Sequence, residues 1–120
     1  MNQTTIAAFT LALGVVIGAF GAHGLRSSLD AYSLGVYETG VQYHFYHALA
    51  ILGVAFATRD FSSSLIPLSG WLFLLGIILF SGSLYVLSLT GKRWLGAITP
   101  LGGLAFLAGW VCLALGALQK

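Results

Sequence analysis

Charge is what this sequence lacks most. Five Lys or Arg and three Asp or Glu make up 7% of its 120 residues, where a soluble domain carries about 25%. So few ionic groups exclude an ordinary soluble fold and point to a bilayer as the solvent. The basic residues Arg26, Arg59, Lys92, Arg93 and Lys120 are scattered, and no cluster is present that would neutralise a row of phosphates, so nucleic acid is excluded as a partner. The single cysteine, Cys112, can form no internal disulfide and reads as a buried structural thiol, with nothing basic beside it to make it reactive. Prolines are two, Pro67 and Pro100, so long helices meet few breakers. Too little sequence lies outside the apolar stretches to form a second domain.

What is present is hydrocarbon. The chain is 58% hydrophobic with a mean hydropathy of +0.96, and its apolar stretches predict four spans, about residues 5–25, 36–57, 66–90 and 100–118. The first has no charged residue between Thr5 and Leu25, and at 1.5 Å per residue it reaches about 30 Å. A cleaved signal peptide is the rival reading. Met1 to Thr5 carries no basic side chain and Gly18 to Leu25 offers no good cleavage site, which favours a retained helix. Pro67 falls in the first turn of the third span, and Thr99-Pro100 opens the fourth as a cap followed by proline. Between the first two spans, Arg26 to Gly35 reads as an interfacial amphipathic turn. The fold class expected is all-α, an integral membrane four-helix bundle in one domain.

Most of the polar atoms expected at membrane depth lie in the second span. Glu38, Gln42, Tyr43, His44, Tyr46 and His47 lead into Ala48-Leu49-Ala50-Ile51-Leu52. Val41, Phe45, Leu49, Leu52 and Phe56 share one helical face, which is expected to meet lipid, leaving the polar side chains to an interior side. In the third span Ser81, Tyr85 and Ser88 recur at i, i+4 and i+7, a stripe able to hydrogen-bond a neighbouring helix.

Small residues mark where rods approach. Gly14, Gly18 and Ala22 repeat every four residues in the first span, and Gly102, Ala105, Gly109, Cys112 and Gly116 alternate by three and four in the last. Such bare faces invite another helix, and in so small a bundle a second copy or a larger membrane complex is the expected source of contacts.

Four blocks in order carry a family resemblance: Gly18 to Leu25, Thr39-Gly40 with Tyr43 and His47-Ala48-Leu49, Ser81 to Tyr85, and Thr99 to Gly103. Through them the chain resembles the YgdD-like family of small inner-membrane proteins, over nearly its whole length. The resemblance implies four membrane helices and a cell inner-membrane location, and it brings no reaction, ligand or catalytic residue. At Glu38, Gln42 and His44 the sequence departs from the side chains usual in that family.

Three functional readings follow. No phosphate loop, nucleophile elbow or carboxylate pair is present, so the main expectation is a non-enzymatic structural or accessory membrane component that needs no cofactor. The first alternative is a channel or transporter for a small solute or ion, lined by Glu38, Gln42, Tyr46, His47 and Tyr85. The second is metal or haem binding through His23, His44 and His47. His44 and His47 stand at i, i+3 and can converge, but a zinc site needs three or four ligands, and His23 would have to come from the far end of another helix. Glu38, near a helix start, is expected to stay wetted and favoured by the helix dipole.

Overall fold

Asn2 starts the first helix by accepting the Thr5 N–H at 2.8 Å. The computed structural model describes residues 2–119. Helix α1 (Gln3–Phe20) continues through a π-helical turn, Gly21–Leu25. Helix α2 follows (Ala31–Ala57), then α3 (Leu65–Gly76), which passes through a second π-helical turn, Ile77–Ser81, into α4 (Gly82–Thr90). A 3-10 turn, Arg93–Ala97, leads into α5 (Thr99–Leu118). No strand occurs among the described residues. With α3 and α4 forming one rod, the chain makes four.

The second rod begins earlier than its composition predicts, at Ala31 and not near Val36. Asp30 accepts the Ser33 N–H at 2.7 Å, and this cap turns the expected interfacial segment into the first turns of α2. The hydrogen bond holds the Asp30 carboxyl below the usual carboxylate range. At 27 residues, α2 reaches about 40 Å, longer than a hydrocarbon core of about 30 Å. Three rods, Gln3–Leu25, Leu65–Thr90 and Arg93–Leu118, are long and apolar enough to cross a membrane. The polar run from Gln42 to His47 keeps α2 out of that set.

Helix α1 packs on α2, α2 on the α3–α4 rod, and α5 on α3 and the second π turn. The α3–α4 rod is central and the most buried of those three apolar rods, and α1 the least. The termini share one end, where Gln3 Nε2 donates to the Pro67 carbonyl at 2.8 Å and Ser63 Oγ donates to Gln119 Oε1 at 2.7 Å. Gly91, at φ 72°, closes α4 in the left-handed conformation that favours glycine. The molecule extends 49 × 26 × 20 Å, little longer than a bilayer with its headgroups, about 40–45 Å.

Glycine sets how closely the rods approach, and the partners lie within the chain. A Cβ on Gly14 would stand 3.1 Å from the Phe45 ring and 3.3 Å from the His44 ring, and one on Gly18 would lie 3.5 Å from Val41. A Cβ on Gly102 would meet the Phe80 backbone; on Gly109 it would come within 2.6 Å of Phe73, and on Gly116 within 2.7 Å of Ile66. Ala105 is buried on the same side of α5. The bare faces expected to meet a second copy are thus used to dock α1 on α2 and α5 on α3 and the second π turn. Ala22, expected in the first seam, is exposed, and Gly21, one residue earlier in the π turn, takes its place against Tyr37 of α2.

Candidate functional site

The buried stripe of α2 runs through Tyr37, Gly40, His44, His47, Ala48, Ile51 and Val54, a spacing of three and four that puts two imidazoles in the interior. Each ring reaches different rods. His44 lies with Nε2 2.8 Å from the Thr10 carbonyl of α1 and Nδ1 2.8 Å from the Tyr85 hydroxyl of α4. A carbonyl can only accept, so Nε2 carries the proton and, in the neutral ring, Tyr85 donates to Nδ1. Gly14 leaves room for the ring to reach Thr10.

His47 is arranged the opposite way. Its Nδ1 is 2.9 Å from the Tyr43 carbonyl and donates to it, while its Nε2 accepts the Trp110 indole N–H of α5 at 3.1 Å. An indole nitrogen only donates, so Nε2 must keep its lone pair and the ring is neutral. The His47 ring lies parallel to Phe106 with centroids 3.5 Å apart and faces Phe73 at 5.5 Å. Through these two side chains α2 is bonded to α1, α4 and α5.

Further polar links join α2 to its neighbours. Ser81 Oγ, at the end of the second π turn, donates to the Gly40 carbonyl at 2.7 Å. Tyr37 donates to the Ile17 carbonyl at 2.6 Å. Tyr85 packs over Gly40, where a Cβ would sit 2.8 Å from its ring. The Ser81, Tyr85 and Ser88 stripe faces α2, with Ser88 Oγ returning to the Tyr85 carbonyl.

The other predicted polar residues do not join this centre. Gln42 and Glu38 are exposed, Tyr46 is 53% exposed and Tyr43 sits at the rim at 37%. The interior stripe is narrower than the set of polar residues, so these fall on its outer side. Val41 and Phe45, expected to meet lipid, pack instead on the α1 glycines and are half-buried. Only Leu49 and Phe56 of that expected face are exposed. The residues expected to line one conduit are therefore divided between the outer surface and two separate hydrogen-bonded centres.

His23 lies exposed in the first π turn, remote in sequence and burial from the two interior rings. Among the described residues no three His, Cys, Asp or Glu side chains group as metal ligands, and all four nitrogens of His44 and His47 already have partners in the protein. Glu38 borders a small cavity of about 150 Å³ with Arg26 and Tyr37, away from both imidazoles' bonds. Trp110 supplies the partner of His47 that the spacing within α2 could not name. Its place in the middle of α5, unlike the end positions of Trp71 and Trp94, was the available signal.

Beside the His47–Trp110 bond a groove of about 560 Å³ opens between α2 and α5, walled by Tyr43, Phe80, Phe106 and Leu107.

Comparison with known sequences places these features. The family model described as protein of unknown function, DUF423, matches residues 17–103, a range that includes His44, His47, Ser81 and Tyr85 but stops short of Thr10 and Trp110. The chain is 48% identical over 115 residues to the UPF0382 membrane protein YwdK of Bacillus subtilis strain 168, covering 95% of this chain and 94% of that one. It is 44% identical over 107 residues to a UPF0382 membrane protein of Haemophilus influenzae, covering 88% and 85%. To the UPF0382 inner membrane protein YgdD of Escherichia coli K12 it is 44% identical over 105 residues, covering 88% and 80%. No solved structure matches.

Proposed function

This chain belongs to the DUF423 family, whose relatives are membrane proteins of unknown function, and from that membership and the packing we propose a non-catalytic four-helix bundle spanning the inner membrane. Its role in this reading is structural or accessory, exerted through contacts within the bilayer. One observation carries the proposal: all four ring nitrogens of the interior imidazoles are occupied, three of them on other rods and His47 Nδ1 on the Tyr43 carbonyl of its own helix. A general base or a ligand needs a free lone pair, and these rings offer none.

Assembly with a second copy is left to surfaces that intramolecular packing does not consume. Helix α1 keeps Ala8, Ala12, Val15 and Ala19 exposed on one stripe, where a partner helix could approach closely. Light scattering in mild detergent tests this part: Ala12→Phe should reduce the oligomer to a protomer that keeps its helical content. A mass unchanged by that substitution removes α1 as the contact. The four crossings are tested by cysteine labelling from each side of sealed vesicles. Residues 28 and 96 should label from one side and residue 62 from the other; any other pattern defeats the topology.

A further inference from the structure

We propose that the groove between α2 and α5 holds one hydrocarbon chain of an anionic phospholipid. It lies between Tyr43 and His47 of α2 and Pro100, Gly103, Leu107 and Trp110 of α5. Its surface is carbon almost throughout, and the polar ends of His47 and Trp110 are bonded to each other. A ligand there gains from apolar contact and has little to hydrogen-bond.

Size decides between a lipid chain and a helix. Pro100 to Trp110 covers about 15 Å of α5 at 1.5 Å per residue. A volume of about 560 Å³ along that length makes an open trough that takes only a row of side chains from a second helix, whereas a flexible hydrocarbon chain lies along its whole length. Gly103 deepens it: a Cβ there would meet nothing within 4 Å, so no packing in the protomer requires glycine at that point.

Charge at the mouth selects the headgroup. Pro100 marks the end of the groove nearest the 3-10 turn, and Lys92, Arg93 and Trp94 stand exposed at the start of that turn. Arg93 reaches toward the start of α2, 5.9 Å from the Tyr32 ring. Of the acidic side chains at this end, Asp30 is bonded to the α2 backbone and Glu38 borders the separate cavity with Arg26. A phosphodiester bearing net negative charge is favoured beside Lys92 and Arg93, with Trp94 at headgroup depth.

Native mass spectrometry of the full chain, incubated with equal amounts of phosphatidylglycerol and phosphatidylcholine of identical chains, tests the site. One phosphatidylglycerol should be retained per chain in preference to phosphatidylcholine. Filling the groove by Gly103→Leu, or from its exposed wall by Leu104→Trp, should abolish retention while leaving the unfolding midpoint near that of the parent. Replacing Lys92 and Arg93 together by Ala should make the two lipids equal. Retention that survives both groove-filling variants, equal retention of the two headgroups by the parent, or no retained lipid overturns the proposal. A change in protomer number in either groove variant assigns the groove to a second copy and overturns it equally.

Discussion

His44 and His47, one turn apart on α2, are held in opposite tautomers. The first donates from Nε2 to Thr10 and the second from Nδ1 to Tyr43. The difference follows from which nitrogen faces a carbonyl, Nε2 in His44 and Nδ1 in His47. Tyr85 offers a hydroxyl that can donate or accept, whereas Trp110 offers an N–H that only donates.

Acid should therefore break the His47–Trp110 bond, because a proton added at His47 Nε2 sets two donors face to face. The rings around His47 are Tyr43 of α2, Phe73 of α3, and Phe106 and Trp110 of α5, and none is a carboxylate that would compensate. The His47–Trp110 contribution is present while the imidazole is neutral and is lost as pH falls through its titration. The Trp110 indole N–H resonance should move upfield on acidification, and should stay fixed in His47→Gln, whose side-chain oxygen still accepts but does not titrate.

Removing His44 tests its link to two rods. His44→Leu leaves the Tyr85 hydroxyl and the Thr10 carbonyl without that partner. At about 0.6 to 1.7 kcal/mol for each hydrogen bond between membrane helices, the loss should be roughly 1 to 3 kcal/mol. Unfolding in mixed micelles reads it, and Tyr85→Phe should account for less than the whole.

Glycine substitutions separate packing from surface. Gly109→Leu forces a side chain toward Phe73 and Gly14→Leu forces one toward the His44 ring, and overpacking of this kind costs roughly 1–3 kcal/mol or more. Gly53→Leu, at an exposed position with open space about its Cβ, should leave the unfolding midpoint close to the parent's. Equal effects at all three positions would contradict the assignment of the two seams to packing within the protomer.

The cap of α2 has its own acid signature. Because the folded state holds the Asp30 carboxyl below its ordinary range, its stabilising effect is full above the unfolded carboxyl's titration and declines as pH falls through the folded one. Asp30→Asn should keep the cap and remove this pH dependence, and Asp30→Ala should lose the cap at every pH. Helical content of residues 31–35, followed by hydrogen exchange, is the measurement.

The four rods were legible because hydrocarbon length and polar punctuation mark them residue by residue. The start of α2 was not, since Asp30 and Ser33 act through one local hydrogen bond that a hydropathy pattern does not register. The small-residue seams were visible, but whether Gly14 and Gly109 meet this chain or another depends on tertiary placement. For the polar centre, composition singled out too many residues. A helix buries only a stripe when its neighbours sit on one side, so His44 and His47 went in while Gln42 and Tyr46, two and one positions away, stayed out. The Trp110 partner lies 63 residues from His47, a separation at which no periodicity operates.

The His47–Trp110 bond joins a ring in the second rod to one in the last, and this bears on how the protein is made. While the ribosome is still working, α1 and α2 can enter the membrane as a pair, but His47 then turns a bare nitrogen toward acyl chains until α5 arrives. A chain cut short before residue 110 carries that defect permanently. The last helix to be made is thus the one that completes the hydrogen bonding of the second.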